Sequence, residues 1–331
     1  MSAVALAKDE FDVEQEVAPP ADVSEAVTPE PAKPASRVRF SLPTARAVFE
    51  ATWPGAVGIL GFVGLWALLA PMVKTSLGTL PGPGDVWRAF WGLMDEYRAA
   101  RVDAATAVAS GGTYTGPPTF IDQILTSLKT VGMGFVLATL CAVPLGLIAG
   151  TSRRINAAIN PLVQILKPIS PLAWLPIVTM VVSASITGDN PLFPKSFVIS
   201  AVVVMLCSLW PTLINTAVGT ASIDKDLLNV GRVLKLGWFA RLTKLVLPSS
   251  LPYIFTGMRL SLGVGWMVLI AAEMLSQNPG LGKFVWDEFQ NGNEKSLARI
   301  MVAVVVIGLI GFALDRIMMV LQSLVSRNRT V

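Results

Sequence analysis

The stretch Ser127-Leu-Lys-Thr-Val-Gly-Met-Gly-Phe-Val-Leu-Ala-Thr-Leu-Cys-Ala-Val-Pro-Leu-Gly-Leu-Ile-Ala-Gly150 carries a single charge, Lys129, in 24 residues. As a helix it rises about 36 Å, enough to cross a hydrocarbon core of about 30 Å. Five further apolar runs of comparable length lie at 54–72, 161–184, 197–218, 252–275 and 300–322. So many segments without a continuous polar face need lipid rather than water around them. The chain therefore reads as an all-α membrane protein with about six transmembrane helices. Composition agrees: 53% of the 331 residues are hydrophobic and 15% are charged, against about 25% charged in a soluble domain.

The third run differs from the others. Pro168, Pro171 and Pro176 each remove a backbone donor, so a helix there is kinked or locally unwound where a neighbour or water satisfies the freed carbonyls. Such a segment suits the lining of a path better than a lipid-facing surface.

Along its length the chain divides into three parts. Residues 1–44, rich in Ala, Pro, Val and acid, show neither helical nor strand period and read as a disordered tail. Their first 35 positions hold eight acids against Lys8 and Lys33, so the remainder of this +4 chain is basic. A secretory signal is not expected, because no basic start leads into an early apolar core. Residues 45–126 comprise the first span and a long outer loop. There Pro81-Gly82-Pro83-Gly84 makes a turn ahead of Trp87, Phe90 and Trp91; the segment is either an interfacial helix or a short helix packed on the bundle. Residues 127–325 hold five spans and a connecting segment at 222–248.

Basic residues set the orientation. With the N-terminus inside, the cytoplasmic side collects twelve Lys and Arg, including Arg153, Arg154, Arg232, Lys235, Arg241 and Lys244, against eight on the other side. Both termini are expected in the cytoplasm. The basic character points to anionic lipid or protein partners rather than nucleic acid.

Enzymatic chemistry is poorly supplied. There is no histidine, which removes the commonest general base and metal ligand. Cys141 and Cys207 both lie in apolar runs and read as small buried hydrophobes without a disulfide or metal. No nucleophile–base or metal-ligand cluster is seen, and no metal is expected. A phosphate-binding loop needs Gly-x4-Gly-Lys-Ser/Thr; the one Gly-Lys, Gly282-Lys283, is followed by Phe284 and has Gln277 at the first glycine position. Energy for active transport must come from elsewhere.

The segment 222–248 carries the functional signal. Asp224 and Asp226 suit a helix N-terminus; Leu227, Gly231 and Leu234 share a face; Gly237 stands where that helix would end and turn. A second helix from about Trp238 is expected to stop before Pro248, with Phe239, Leu242, Leu245 and Val246 on an apolar side and Arg241 and Lys244 opposite. Such a helix–turn–helix either docks a soluble partner or folds against its own bundle.

The stretch from Leu227 to Arg259, above all Leu247-Pro-Ser-Ser-Leu-Pro-Tyr-Ile-Phe-Thr-Gly-Met-Arg-Leu260, resembles the cytoplasmic coupling loop of ABC importer permeases of type I. It departs from the family pattern at Asn229-Val230-Gly231, which replace Glu-Ala-Ala, and at Lys235, which replaces a glycine. Ile169-Ser-Pro-Leu-Ala-Trp-Leu-Pro176 and Ala271-Ala-Glu-Met-Leu275 resemble the nitrate, sulfonate, taurine and bicarbonate branch. Residues 115–124, 229–236 and 282–289 are most similar to nitrate or nitrite permeases.

The resemblance implies a bacterial inner-membrane subunit working with a cytoplasmic ATPase that binds ATP-Mg, and with a periplasmic or lipid-anchored binding protein. It also implies a second permease chain, expected as a homodimer. The expected contacts with the ATPase are Asp224, Leu228, Asn229, Gly231, Arg232, Leu234, Lys235, Gly237 and Leu242. A small oxyanion needs donors along its route, and Lys167, Trp174, Thr179, Trp210 and Asn215 are candidates, although a lysine near a helix end commonly snorkels. Glu273, near the outer end of the fifth span, would repel an anion and is a gate or ion-pair candidate; Arg259 and Asp315 are placed to pair. The reading from a different class is an autonomous ion-coupled transporter, for which paired carboxylates near mid-bilayer are wanted. Sulfonate, taurine and bicarbonate remain alternative substrates.

Overall fold

A computed structural model describes residues 45–75, 78–112, 115–186, 194–293 and 295–327, without the side chains of 45–48, 51, 75, 225, 326 and 327. The tail 1–44 read as disordered lies outside the described residues. In chain order the elements are α1 (Ala45–Leu69), a two-stranded antiparallel hairpin β1 (Lys74–Thr75) and β2 (Gly78–Thr79), α2 (Pro83–Ala109), α3 (Phe120–Thr151), α4 (Arg153–Leu166), α5 (Pro171–Ser185), α6 (Lys195–Ala221), α7 (Lys225–Val233), α8 (Trp238–Arg241), α9 (Leu247–Ser276), α10 (Leu281–Asn291) and α11 (Ser296–Arg327). Contacts group the chain into Met1–Ala56 and Val57–Val331, and the second unit holds the bundle.

At its centre is α6. Half of its most apolar window is buried, against 11% for the corresponding window of α11, so α6 is walled by protein and α11 borders the bundle. Small residues let α3 approach it. A Cβ on Gly134 would lie 2.6 Å from Val204 Cγ1, and one on Gly146 would lie 2.6 Å from Thr216 Cβ. Ala138 and Ala142, both fully buried, fill the four-residue steps between them, the spacing by which small residues line up on one helix face. These pairs rise together in number, so α3 and α6 run in the same direction. Across the other side of α6, a Cβ on Gly257 would lie 2.8 Å from Asn215 Cβ and Ser200 Oγ lies 2.7 Å from Ser276 Oγ, so α9 runs the opposite way. Ser261 of α9 also reaches into the α6 ladder near Pro211. Its hydroxyl accepts from the Thr212 N–H at 3.1 Å and donates to the Ser208 carbonyl, occupying the place where Thr212 would bond Ser208.

Because α3 and α6 are parallel, the chain must return across the bundle between them. Only α4 and α5 are described there, and together they form a broken span bent by 101°. With the five helices long and apolar enough to cross a bilayer, this makes six. The third span, expected at 161–184 and kinked or locally unwound at its prolines, is interrupted there, and its start is corrected to Arg153. The break falls at 167–170, where Pro168 and Pro171 both prevent the helix from continuing, while Pro176 is absorbed inside α5.

The bundle thus has two ends. The C-termini of α3 and α6, α7, α8 and the start of α9 form the elbow end; the start of α3 and α6, the end of α9, α2 and α10 form the opposite one. There α2 buries Val86 and Leu93 in the main core while Trp87 and Trp91 stay exposed.

Candidate functional site

At the elbow, Asp224 caps α7 by accepting from the Asp226 N–H at 2.9 Å. The helix ends with Leu236 N–H bonding Gly231 C=O at 3.1 Å and Lys235 N–H bonding Arg232 C=O at 2.9 Å, the paired bonds of a Schellman stop. The left-handed residue that this stop requires is Lys235, at φ 48. Gly237, expected to end α7, instead precedes α8 at φ −60. The correction has a physical basis: the turn falls where the family pattern places glycine, and a lysine there costs about 1 kcal/mol more.

The second helix does not stop before Pro248. A π turn at Leu242–Val246 joins α8 to α9, and Trp238–Ser276 forms a single run. The wider i→i+5 turn makes room for the proline ring that would otherwise strike the carbonyl four residues back. It also resets the helical register. Leu242 and Val246 pack inward with Leu147 and Ile254, whereas Phe239 is 70% exposed rather than sharing their side. Gly231 brings α7 against this turn, since a Cβ there would meet Leu245 Cδ1 at 2.6 Å.

What the elbow presents outward is apolar and basic. Val233, Leu234, Trp238 and Phe239 are all more than 60% exposed. Arg232 bonds only Asn229 Oδ1, at 3.0 Å, and Lys235, Arg241 and Lys244 have no ion-pair partner among the described residues. Leu228 is half-buried. Of the nine expected contact residues, Leu242 thus packs on the bundle, Gly231 is buried against the π turn, and the others lie on or at the edge of the elbow surface.

At the opposite end Glu273 is fully buried. Ser127 Oγ donates to its two oxygens at 2.9 and 2.8 Å, the Gly282 N–H donates at 3.0 Å and Asn278 Nδ2 approaches at 3.5 Å. Leu281 N–H in turn bonds Ser127 Oγ at 2.8 Å. The carboxylate therefore sits on the N-terminus of α10, where free amides and the helix dipole favour a negative charge. It ties α3, α9 and α10 together. The ion pair considered for Glu273 is not formed among the described residues; its partners are the neutral donors of Ser127, Asn278 and the start of α10. Sequence reasoning did not reach Ser127 or Gly282, which lie 146 and 9 residues away.

Arg259 and Asp315 do pair, at 2.6 and 3.0 Å through two guanidinium nitrogens, holding α9 to α11. The five route candidates are dispersed. Lys167 is exposed at the break, Trp174 and Thr179 are half-buried on α5, Trp210 packs on the cluster of Ala142, Val163 and Leu213, and Asn215 donates to Pro211 C=O at 2.8 Å on its own helix.

Six spans, of which α6 is the most buried, with a projecting elbow between the fourth and the fifth, define a transport permease subunit, and residues 142–330 match the family of binding-protein-dependent transport system inner membrane components. The chain belongs to that family and is a multi-pass protein of the bacterial inner membrane. It is 35% identical over 272 residues to the bicarbonate transport system permease protein CmpB of Synechococcus elongatus, covering 82% of this chain and 88% of that one. It is 32% identical over 294 residues to the nitrate import permease protein NrtB of the same organism, covering 89% and 97%. The NrtB of Synechocystis is 37% identical over 204 residues, 61% and 69% of the two chains.

Proposed function

We propose that this chain forms the membrane route of an importer for a small planar monoanion, nitrate or nitrite first. A cytoplasmic ATPase docked at the elbow drives it and holds the ATP-Mg. A periplasmic or lipid-anchored binding protein delivers the anion at the opposite end, and a second copy of the chain completes the pore, with both termini on the elbow side in the cytoplasm. The carrying observation is the elbow surface itself. Large apolar side chains stand exposed among unpaired cations, and a surface of that composition fits a cleft on a soluble partner with acidic edges. Nucleotide-driven motion there reaches the bundle through α7 and the helix that begins at Trp238.

Relatives named for nitrate and for bicarbonate match almost equally, and the two anions share trigonal shape and single charge. Nitrate is preferred on residues 115–124, 229–236 and 282–289, whose wording is most similar to nitrate permeases. Bicarbonate, sulfonate and taurine are the competing cargoes. Uptake of labelled nitrate, with bicarbonate and sulfonates as competitors, in cells lacking and then regaining this chain decides among them. Nitrate uptake that returns with the chain and is untouched by sulfonates is expected; inhibition by sulfonates alone overturns the choice. Purification from solubilised membranes tests the coupling, because Arg241→Glu combined with Lys244→Glu should cost at least tenfold in recovered ATPase. Transport driven by an ion gradient in liposomes holding this chain alone would favour the autonomous transporter instead.

A further inference from the structure

The helix α4 has a polar side distinct from its packing side. Arg153, Asn156, Asn160, Gln164 and Lys167 follow one another at intervals of three and four residues, which stacks them within about 80° of the helix circumference. Ile155, Ile159, Leu162, Val163 and Leu166 fill the other side. All five polar residues are exposed, and none has a side-chain hydrogen bond or ion pair among the described residues.

Nor does α4 lie flat across the elbow end. Val163 is buried in one cluster with Ala142 of α3 and Leu213 of α6. Ala142 stands nine residues before the end of α3, about 13 Å up that helix, and Val163 stands ten residues after Arg153, about 15 Å along α4. The two lengths agree, so α4 climbs back beside α3. Lys167 then lies about 21 Å from the elbow end of the bundle, where the chain makes its 101° turn. Asn160, Gln164 and Lys167, about 10–21 Å from that end, are costly against hydrocarbon, so the face meets water or a polar occupant.

Its charge selects the occupant. No Asp or Glu occurs between Gln123 and Gly188, so α4 and α5 carry no acid and the one acid of α3, Asp122, lies in its first turn at the opposite end of the bundle. The amide groups offer neutral donors between them, close enough in spacing to pass an oxyanion along without the tight hold of a charged cage. We propose that the polar face of α4 lines the anion's route from the break at 167–170 to the elbow end, with Lys167 at the inner end, Arg153 at the mouth and Asn156, Asn160 and Gln164 between. The assignment rests on the anion-importer reading above and places its cargo on specific side chains.

The test uses the full-length chain, with Cys141 and Cys207 replaced by alanine, in membranes that also hold its partners. Asn160→Cys, Gln164→Cys and Leu162→Cys are each exposed to an anionic methanethiosulfonate reagent. The first two should react at least tenfold faster than the third, and millimolar nitrate should slow them severalfold. Equal rates on the two faces, or no slowing by nitrate, nitrite or bicarbonate, would overturn the assignment. Asn160→Asp, which keeps the size and reverses the electrostatics, should lose at least tenfold in uptake while the ATPase still co-purifies; unchanged uptake would also overturn it. If the native chain carries bicarbonate and not nitrate, the cargo choice fails, and protection by bicarbonate still supports the α4 face.

Discussion

The two ends of the bundle handle charge in opposite ways. Opposite the elbow, Arg88, Arg98, Arg101, Lys283 and Arg299 each lie within ion-pair distance of an acid, Asp85, Asp95, Asp122, Asp287 and Glu96 respectively, and the buried Glu273 is satisfied by neutral donors. At the elbow, Arg153, Arg154, Lys235, Arg241 and Lys244 have no acid partner among the described residues. One end, the closed one, pairs five of its cations and leaves Lys74, Lys195 and Lys295 without an acid among the described residues; the other, open end pairs none of the five just named. Changes at the closed end should therefore be felt in stability, and changes at the open end in assembly and transport.

The largest expected effect is at the open end. Leu234→Asp alters a residue that is 64% exposed, so insertion and melting should hold while uptake and ATPase co-purification fall at least tenfold; full transport by this variant would break the contrast. Next comes Ser127→Ala at the closed end, which strips donors from a buried carboxylate and should cost about 1–3 kcal/mol, read as a lower melting temperature in detergent. Lys235→Gly should instead stabilise the elbow by about 1 kcal/mol, by relieving the left-handed lysine, with uptake retained; a drop in stability would show that the turn is not as described. Smallest is Arg98→Ala, which removes an exposed pair worth about 0.2–1 kcal/mol and should leave uptake at the native level.

How much of this was legible beforehand depended on range along the chain. Long apolar runs disclosed the spans, and prolines at 168, 171 and 176 disclosed that the third was interrupted. Its true start at Arg153 was hidden, because Asn156, Asn160 and Gln164 interrupt the apolar run that a span search follows. Asp224 and Asp226 marked the beginning of α7 correctly. Its end was misread at Gly237 because lysine is not a residue that signals a left-handed turn. Continuity through Pro248 escaped the local rule that helices end before proline, since a widened turn is a response to packing that no dipeptide encodes. Glu273 was conspicuous as a charge in an apolar run, but its partners come from α3 and the start of α10.

The uninterrupted run from Trp238 to Ser276 has a mechanical meaning. At 39 residues it spans about 58 Å, so a tilt of about 5° about one end shifts the other by about 5 Å. Its near end is exposed at the elbow and its far end holds Glu273 against the start of α10, so a tilt begun at Trp238 would be read at the carboxylate.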